Sequence, residues 1–239
     1  MSLEVKIHDA QVSILRELLF HPSAGFATLQ RPTGLSSDHF NFHISRLVEL
    51  GLVGKKPTKK SEYHLTQLGK EYANRLDTDN NTVERQPKTA VILAIEREGK
   101  DGEAEFVFQE RLKNPYYGFW GLPTGKVRWG ETILQTAERE LMEETGLTAD
   151  FRIAGVYHEQ VLSEESGDML EDKIFFVAHG TNPKGSLLKV FEGGANAWLS
   201  FDEAYKKEKK FDSFEMELDI LRSKDWLIER KTSYSADLF

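Results

Sequence analysis

Apolar and polar positions follow two different textures along the chain, and the change comes close to residue 88. Before it the spacing is helical. Val12, Leu15, Leu18 and Leu19 recur at intervals of three and four across Ala10 to Phe20, which predicts an amphipathic helix. Phe26 to Gln30 predicts a short second helix, broken by Pro32 and Gly34. Ser36 or Ser37 caps a third, which buries Phe40, Ile44, Leu47 and Val48 and ends near Gly51. Leu52 to Lys56 and Ser61 to Leu65 alternate as strands around the turn Pro57-Thr58-Lys59-Lys60, and Thr66 caps a further helix through Leu76. Asp77 to Lys88 is polar and has no apolar period, so it is expected to link a domain at 1–76 to one at 89–239.

From Thr89 the pattern shortens to strands. TAVILAIERE reads as a buried strand and EAEFVFQERL as its neighbour across the turn at Gly99 to Gly102. A Gly/Pro-rich loop, NPYYGFWGLPTGK, leads to a helix over about Ile133 to Thr145. Strands are expected at Phe151 to Gln160, Lys173 to Ala178 and Leu187 to Phe191, then helices at Phe201 to Lys209 and Phe214 to Leu221, with a loose tail over the last ten or so residues. Strands interleaved with helices give an α/β class.

Composition narrows the setting. Hydrophobic residues are 39% and charged residues 29% of 239, enough for a core and for solubility. No apolar run approaches the roughly 20 residues that cross a bilayer, and the charged N-terminal stretch has no secretory pattern. With no cysteine there are no disulfides, thiolate zinc sites or cysteine nucleophiles, and a cytoplasmic location without a membrane partner is expected. The net charge of -8 is uneven: 11 Lys+Arg stand against 10 Asp+Glu through residue 86, and 20 against 29 after it. An acidic second part that handles phosphate needs divalent cations to offset the repulsion. The first part can approach a polyanion only through a local patch.

The chemistry concentrates in the helix after the Gly/Pro-rich loop. Glu140, Glu143 and Glu144 stand three and four residues apart, so three carboxylates crowd one face, which costs an isolated helix a few tenths of a kcal/mol per like pair. Glu-x-x-Glu-Glu alone describes many solvated helix faces. It also suits a hard cation such as Mg2+, which takes carboxylate and water oxygens and shares its shell with substrate phosphates. Arg139 is placed to orient a neighbouring carboxylate by a bidentate pair, and Glu131, just ahead of the helix, to cap it and reach the same cluster.

The full segment separates the two readings. Gly125, five residues, Glu131, seven residues, Arg139-Glu140-Leu141, one residue, Glu143-Glu144, one residue, Gly146-Leu147 resembles the Nudix box with no position missing. Thr124 stands where that family often has a second glycine. The resemblance covers about residues 88 to 205. It implies an α/β/α sandwich with the box as loop-helix-loop, and Mg2+-assisted (or Mn2+-assisted) attack of water on a nucleoside diphosphate linked to another moiety. It assigns Glu140, Glu143 and Glu144 as ligands, with Glu140 also orienting or activating the water, and Arg139 as an orienting residue. Gly125 offers a carbonyl and Glu131 a further carboxylate to the metal.

A carboxylate outside the box is expected as extra ligand or general base. Glu192, in the glycine-rich turn FEGGANAW, resembles the loop glutamate of MutT-like members; Glu164, Glu165, Glu171 and Asp172 are its rivals. For the substrate, Tyr117 and Trp120, with Tyr116 and Phe119, offer rings for a base, and Arg111 and Lys113 offer charge to phosphate, although each also suits ordinary loop packing. The proline of ADP-ribose members is replaced by Val161 and Leu162, and the tyrosine of dinucleoside-polyphosphate members is missing. Nucleotide sugars, oxidised nucleotides and dinucleotides stay open as substrates.

Residues 8 to 77, with LSSDHFNFHISRLVELGLV followed by the hairpin and YHLTQLGKEYA, resemble a winged helix-turn-helix domain of the ArsR and MarR types. That resemblance implies double-stranded DNA as a partner. Ser37, Asn41 and Arg46 would meet bases from the third helix, and Lys55, Lys56, Lys59 and Lys60 would meet phosphates from the wing. The other uses of such a domain are dimerisation, giving a homodimer, and support of the enzyme domain. His21, His39, His43 and His64 have no metal-ligand spacing. Two roles follow: a Nudix hydrolase with an accessory or regulatory domain, or a transcription regulator whose Nudix domain senses a nucleotide metabolite, with or without cleaving it.

Overall fold

The computed structural model describes residues 7–56, 62–77, 82–83, 85–223 and 225–235. It divides into two compact units, 1–85 and 86–239.

The first unit opens with α1 (Asp9–Phe20), β1 (Ala24–Gly25), α2 (Phe26–Gln30) and a 3-10 turn at Arg31–Thr33. It continues with α3 (Ser37–Glu49), β2 (Val53–Lys56), β3 (Glu62–Leu65) and α4 (Gln67–Ala73), and ends with β4 (Leu76–Asp77) and β5 (Thr82–Val83). The hydroxyls of Ser36 and Thr66 accept from the amides of His39 and Gly69 and so cap α3 and α4. Phe40, Ile44 and Leu47 of α3 pack with Ile14, Leu15 and Leu18 of α1 in one core, over a three-stranded sheet of order β1-β3-β2. Val48, expected in that core, is 39% exposed. The turn Pro57-Thr58-Lys59-Lys60 lies outside the described residues. Within the stretch expected as a linker, Leu76–Asp77 pairs antiparallel with Thr82–Val83.

The second unit is built on β6 (Lys88–Glu98), β7 (Ala104–Arg111), β8 (Trp120–Gly121) and β9 (Thr124–Lys126). After α5 (Ile133–Thr145) come the long hairpin β10 (Leu147–Ser163) and β11 (Met169–Gly185), then β12 (Val190–Phe191) and β13 (Gly194–Ser200). The helices α6 (Phe201–Tyr205) and α7 (Phe214–Asp219) and the strand β14 (Leu227–Tyr234) complete it. The sheet runs β12-β13-β7-β6-β11-β10-β14, with β8 on β7 and β9 on β6.

Strand β6 shows why this mixed α/β unit has two layers of core. Ala90, Ile92 and Ala94 point to one face and pack with Ala204, Phe214 and Leu218 of α6 and α7. Val91, Leu93 and Ile95 point to the other and pack with Ala137 and Leu141 of α5. A strand buried on both faces reads as a continuous apolar run, as VILAI does.

Several expectations change, among them the helix expected over Phe201 to Lys209, which ends at Tyr205. Part of the expected loose tail is a strand: Leu227–Tyr234 pairs in parallel with Val156 to Ser163 of β10 along that edge of the sheet, and residues 236–239 lie outside the described residues. The strand expected over Leu187 to Phe191 shrinks to Val190–Phe191, because the Leu188 amide is taken by the Thr145 carbonyl at the end of α5. The loop before α5 contains β8 and β9, pinned to Gln109, Glu110 and Ala90 to Ile92. No helix among the described residues is long and apolar enough to cross a membrane.

Candidate active site

Helix α5 is delimited at both ends by its own sequence. Thr132 and Gln135 form a capping box, and Gly146 ends the helix in the left-handed region at φ 70°. Ala137 and Leu141 bury one face against the sheet, which leaves the carboxylates of Glu140, Glu143 and Glu144 on the remaining surface.

Arg139 organises the front of this surface. Its Nε and Nη2 donate to the two Glu131 carboxylate oxygens at 2.6 and 2.8 Å, its Nη1 reaches Glu140 at 2.7 Å and Glu143 at 3.2 Å, and Nη2 also donates to the Lys126 carbonyl at 3.2 Å. The Arg139 hydrogen bonds hold the Glu131 carboxyl down to about 2, helped by the Thr136 hydroxyl and the Arg128 amide. Glu131 therefore clasps the loop to the helix and does not line the cavity described below. Gly125 of β9 passes so close that a Cβ there would lie 2.0 Å from Glu140 Cγ, so only glycine admits this approach.

Beside α5 opens a cavity of about 670 Å³, within the usual range for small-molecule sites. Glu140, Glu144 and Gly125 line it together with Arg111, Lys113, Lys126 and Arg128. Glu144 accepts from Gln109 Nε2 at 2.9 Å, and Gln109 is braced at 3.3 Å by Asn196, whose own amide donates to the Glu144 carbonyl. Burial raises the Glu144 carboxyl above the usual range, against the Gln109 hydrogen bond, and the Glu140 charge adds to the rise. Glu143 is exposed and drawn to Arg128 and Arg139, each at 3.2 Å. Among the described residues no three His, Asp or Glu side chains gather as a set able to hold an ion. Glu140 and Glu144 nonetheless fit one: two oxygen donors repelling each other in a partly desolvated cavity are relieved by a hard cation.

Other expected residues are spread more widely. Arg111 and Lys113 line the cavity, with Arg111 Nε donating to the Pro115 carbonyl. Tyr117 is 58% exposed, and Trp120 lies under the Lys207 ammonium, 4.1 Å from its ring; the aromatic residue of that loop in the cavity is Tyr116. Glu192 is exposed on the turn between β12 and β13 and does not line the cavity. Glu171, one of its rivals, does, held by Lys173 and by Lys88 at 3.8 Å.

Glu159 and Glu217 also line the cavity and were not anticipated. Each carried a signal. Glu159 alternates with Tyr157 and Val161, both buried, so it occupies an inward position of β10. Glu217 follows buried Phe214 by three residues on α7.

In the first unit, Ser37 and Asn41 are exposed on α3, and Arg46 is exposed but paired with Glu49 at 3.0 Å. Lys55 and Lys56 are exposed at the end of β2. Lys59 and Lys60 lie outside the described residues.

Residues 85–218 match the family model of the NUDIX domain. An ADP-ribose pyrophosphatase of Methanocaldococcus jannaschii is 32% identical over 100 residues, 40% of this chain and 56% of its own. An octanoyltransferase of Myxococcus xanthus is 27% identical over 205 residues, 84% of this chain and 55% of its own. The chain thus spans about half the length of the curated relatives it matches. Among solved structures, the NUDIX domain of Shewanella oneidensis NrtR in complex with ADP ribose superposes with a TM-score of 0.50 at 16% identity, covering 66% of this chain and 97% of that one. At that identity the likeness concerns the fold.

Proposed function

The chain belongs to the Nudix family, and from that premise we propose that it hydrolyses the phosphoanhydride of a nucleoside diphosphate linked to a second group. The observation that carries this reading is the placement of Glu140 and Glu144 in one cavity with Arg111, Lys113, Lys126 and Arg128. The basic groups bind the diphosphate, and the carboxylates face it across the same space. Glu140, Glu144, the Gly125 carbonyl and, once released from its arginines, Glu143 would hold a divalent cation, Mg2+ or Mn2+, which supplies charge neutralisation on phosphate and an acidified water. Water oxygen bonds to phosphorus, the bridging P–O bond breaks, and the departing phosphate takes the electron pair. The proton lost by the water passes to a carboxylate. Glu140 and Glu144 both line the cavity for that role, and Gln109 fixes the orientation of Glu144.

The relative from Methanocaldococcus jannaschii makes ADP-ribose the first substrate to test, followed by nucleotide sugars, oxidised nucleotides and dinucleotides. Each is incubated with Mg2+ or Mn2+ and scored for phosphate-bearing products. Cleavage of at least one at the diphosphate supports the reading, and no cleavage of any with either metal contradicts it.

The first unit supports a second role beside the first. Its order of helices, the exposed Ser37 and Asn41 on α3 and the exposed Lys55 and Lys56 on β2 suit a winged helix that binds double-stranded DNA. Binding to the DNA upstream of its own gene should weaken with salt and weaken further when Lys55, Lys56, Lys59 and Lys60 become alanine. No binding at low salt would remove this role and leave the hydrolase untouched.

A further inference from the structure

Strands β7 and β13 place two side-chain amides opposite each other. Asn196 pairs in register with Gln109, so both side chains leave the same face of the sheet. Val107 and Trp198, two residues along each strand, pack on that face with Ala137 and Leu141 of α5. Asn196 is 6% exposed, whereas Gln109 lines the cavity.

The direction of each hydrogen bond between them is fixed by what the atoms can do. Asn196 Nδ2 lies 2.8 Å from the Glu144 carbonyl and 2.9 Å from the Leu188 carbonyl. The Glu144 carbonyl is among the last four of α5, which a helix leaves without partners of its own. Carbonyl oxygens only accept, so the Asn196 nitrogen must face them and its Oδ1 must face Gln109. That oxygen admits only a donor, and Gln109 Nε2 answers it at 3.3 Å. The second hydrogen on the same nitrogen goes to Glu144 Oε2 at 2.9 Å. Turning either amide over would set oxygen against oxygen.

We propose that Asn196 is a positioning residue, which fixes the donor end of Gln109 on Glu144 Oε2 and so leaves Oε1 for the divalent cation. Asn196 acts through Gln109 and touches neither cation nor substrate. The role presupposes Glu144 as a cation ligand, as proposed for this site. The hold of Asn196 on the Glu144 carbonyl offers a rival route, through the end of α5, and a double variant separates the two.

Mn2+ binding without substrate is followed by electron paramagnetic resonance of the free ion, in the full chain and in Gln109→Ala, Asn196→Ala and the double variant. Gln109→Ala should weaken binding about 10-fold, as for loss of an outer-shell partner. Asn196→Ala should weaken it by a similar factor, but by less than about 2-fold when Gln109 is already alanine, since residues acting in one line are not additive. Unchanged affinity in either single variant, or the same loss from Asn196→Ala in both backgrounds, overturns the proposal. If Asn196→Ala does not melt cooperatively, NMR of the parent decides. Both hydrogens of the Gln109 side-chain amide should exchange slowly with solvent, and rapid exchange of either overturns the proposal. If the parent binds no Mn2+ the role falls, whereas the hydrolase reading is judged by its own assay. The expected Mn2+ pattern without cleavage of any diphosphate removes only the hydrolase reading.

Discussion

The two groups of acids in the cavity differ in their partners, although burial raises the carboxyls of Glu144 and Glu217 alike. Beside α5, Arg139 bridges Glu131, Glu140 and Glu143, and Gln109 donates to Glu144, so negative charge there has donors before any ligand arrives. Glu217 makes no ion pair among the described residues, and burial raises its carboxyl. One kind of side chain thus meets two settings: carboxylates hydrogen-bonded to arginine and glutamine beside α5, and a buried carboxyl beside aromatic rings. Partners set the difference, since a carboxylate that accepts from arginine is stabilised charged and one desolvated among aromatic rings is stabilised neutral.

The sharpest way to break this contrast is beside α5. Glu144→Gln should lower hydrolysis with Mg2+ by about 10²–10⁴-fold, the usual worth of a positioned acid–base group, with the circular dichroism spectrum unchanged. Glu140→Gln should fall in the same range. Next in size, Arg139→Ala frees three carboxylates from their orienting partner. The apparent Mg2+ affinity in the hydrolysis assay should drop about 10–100-fold, as for loss of an outer-shell partner.

Stability against pH should then separate the two regions by sign. The Glu217 carboxyl titrates at about 8 in the folded chain and at about 4.3 unfolded. Between those values the unfolded chain holds fewer protons, so this group's contribution falls as pH rises through that window. The melting temperature of Glu217→Gln should therefore gain on that of the parent between pH 5 and pH 8.5. Glu131 runs the other way. Its folded value of about 2 lies below the unfolded one, so its stabilisation is present above about 4.3 and is lost as pH falls towards 2. Glu131→Gln should melt slightly below the parent at pH 7 and converge with it near pH 2. That effect is the smallest, because the group is reached by solvent and salt.

The contrast also decides what could be read from the chain alone. Helix α5 is one contiguous segment with its cap, terminating glycine and carboxylates in register, so local spacing displays Glu140, Glu143, Glu144 and Arg139 together. The rest of the cavity draws Glu159 from β10, Glu217 from α7 and Tyr234 from β14, elements that meet only after the sheet closes. Each of the two glutamates broke an apolar pattern, yet nothing in either segment points to the other. Strand β14 was missed for a related reason: its residues alternate in exposure without a strongly apolar face, and the partner that orders them is β10, about 70 residues earlier. Glu192, chosen from its glycine-rich turn, shows the converse, since a turn motif specifies local shape but not which side of the sheet it serves. Glu131 likewise stands close to the carboxylates of α5 in sequence, and its oxygens accept from Arg139 and Thr136.

Cleavage of a phosphoanhydride beside α5, as proposed, requires both the metal and Glu144. Its most direct test is hydrolysis of ADP-ribose and the other nucleoside-diphosphate derivatives by the full chain in Mg2+, in EDTA, and by Glu144→Gln in Mg2+, with products resolved by phosphorus NMR. Two phosphate monoesters, or a monoester and phosphate, should form only with metal and only by the parent chain at an appreciable rate. An equal rate in EDTA, or an undiminished rate in Glu144→Gln, would contradict it.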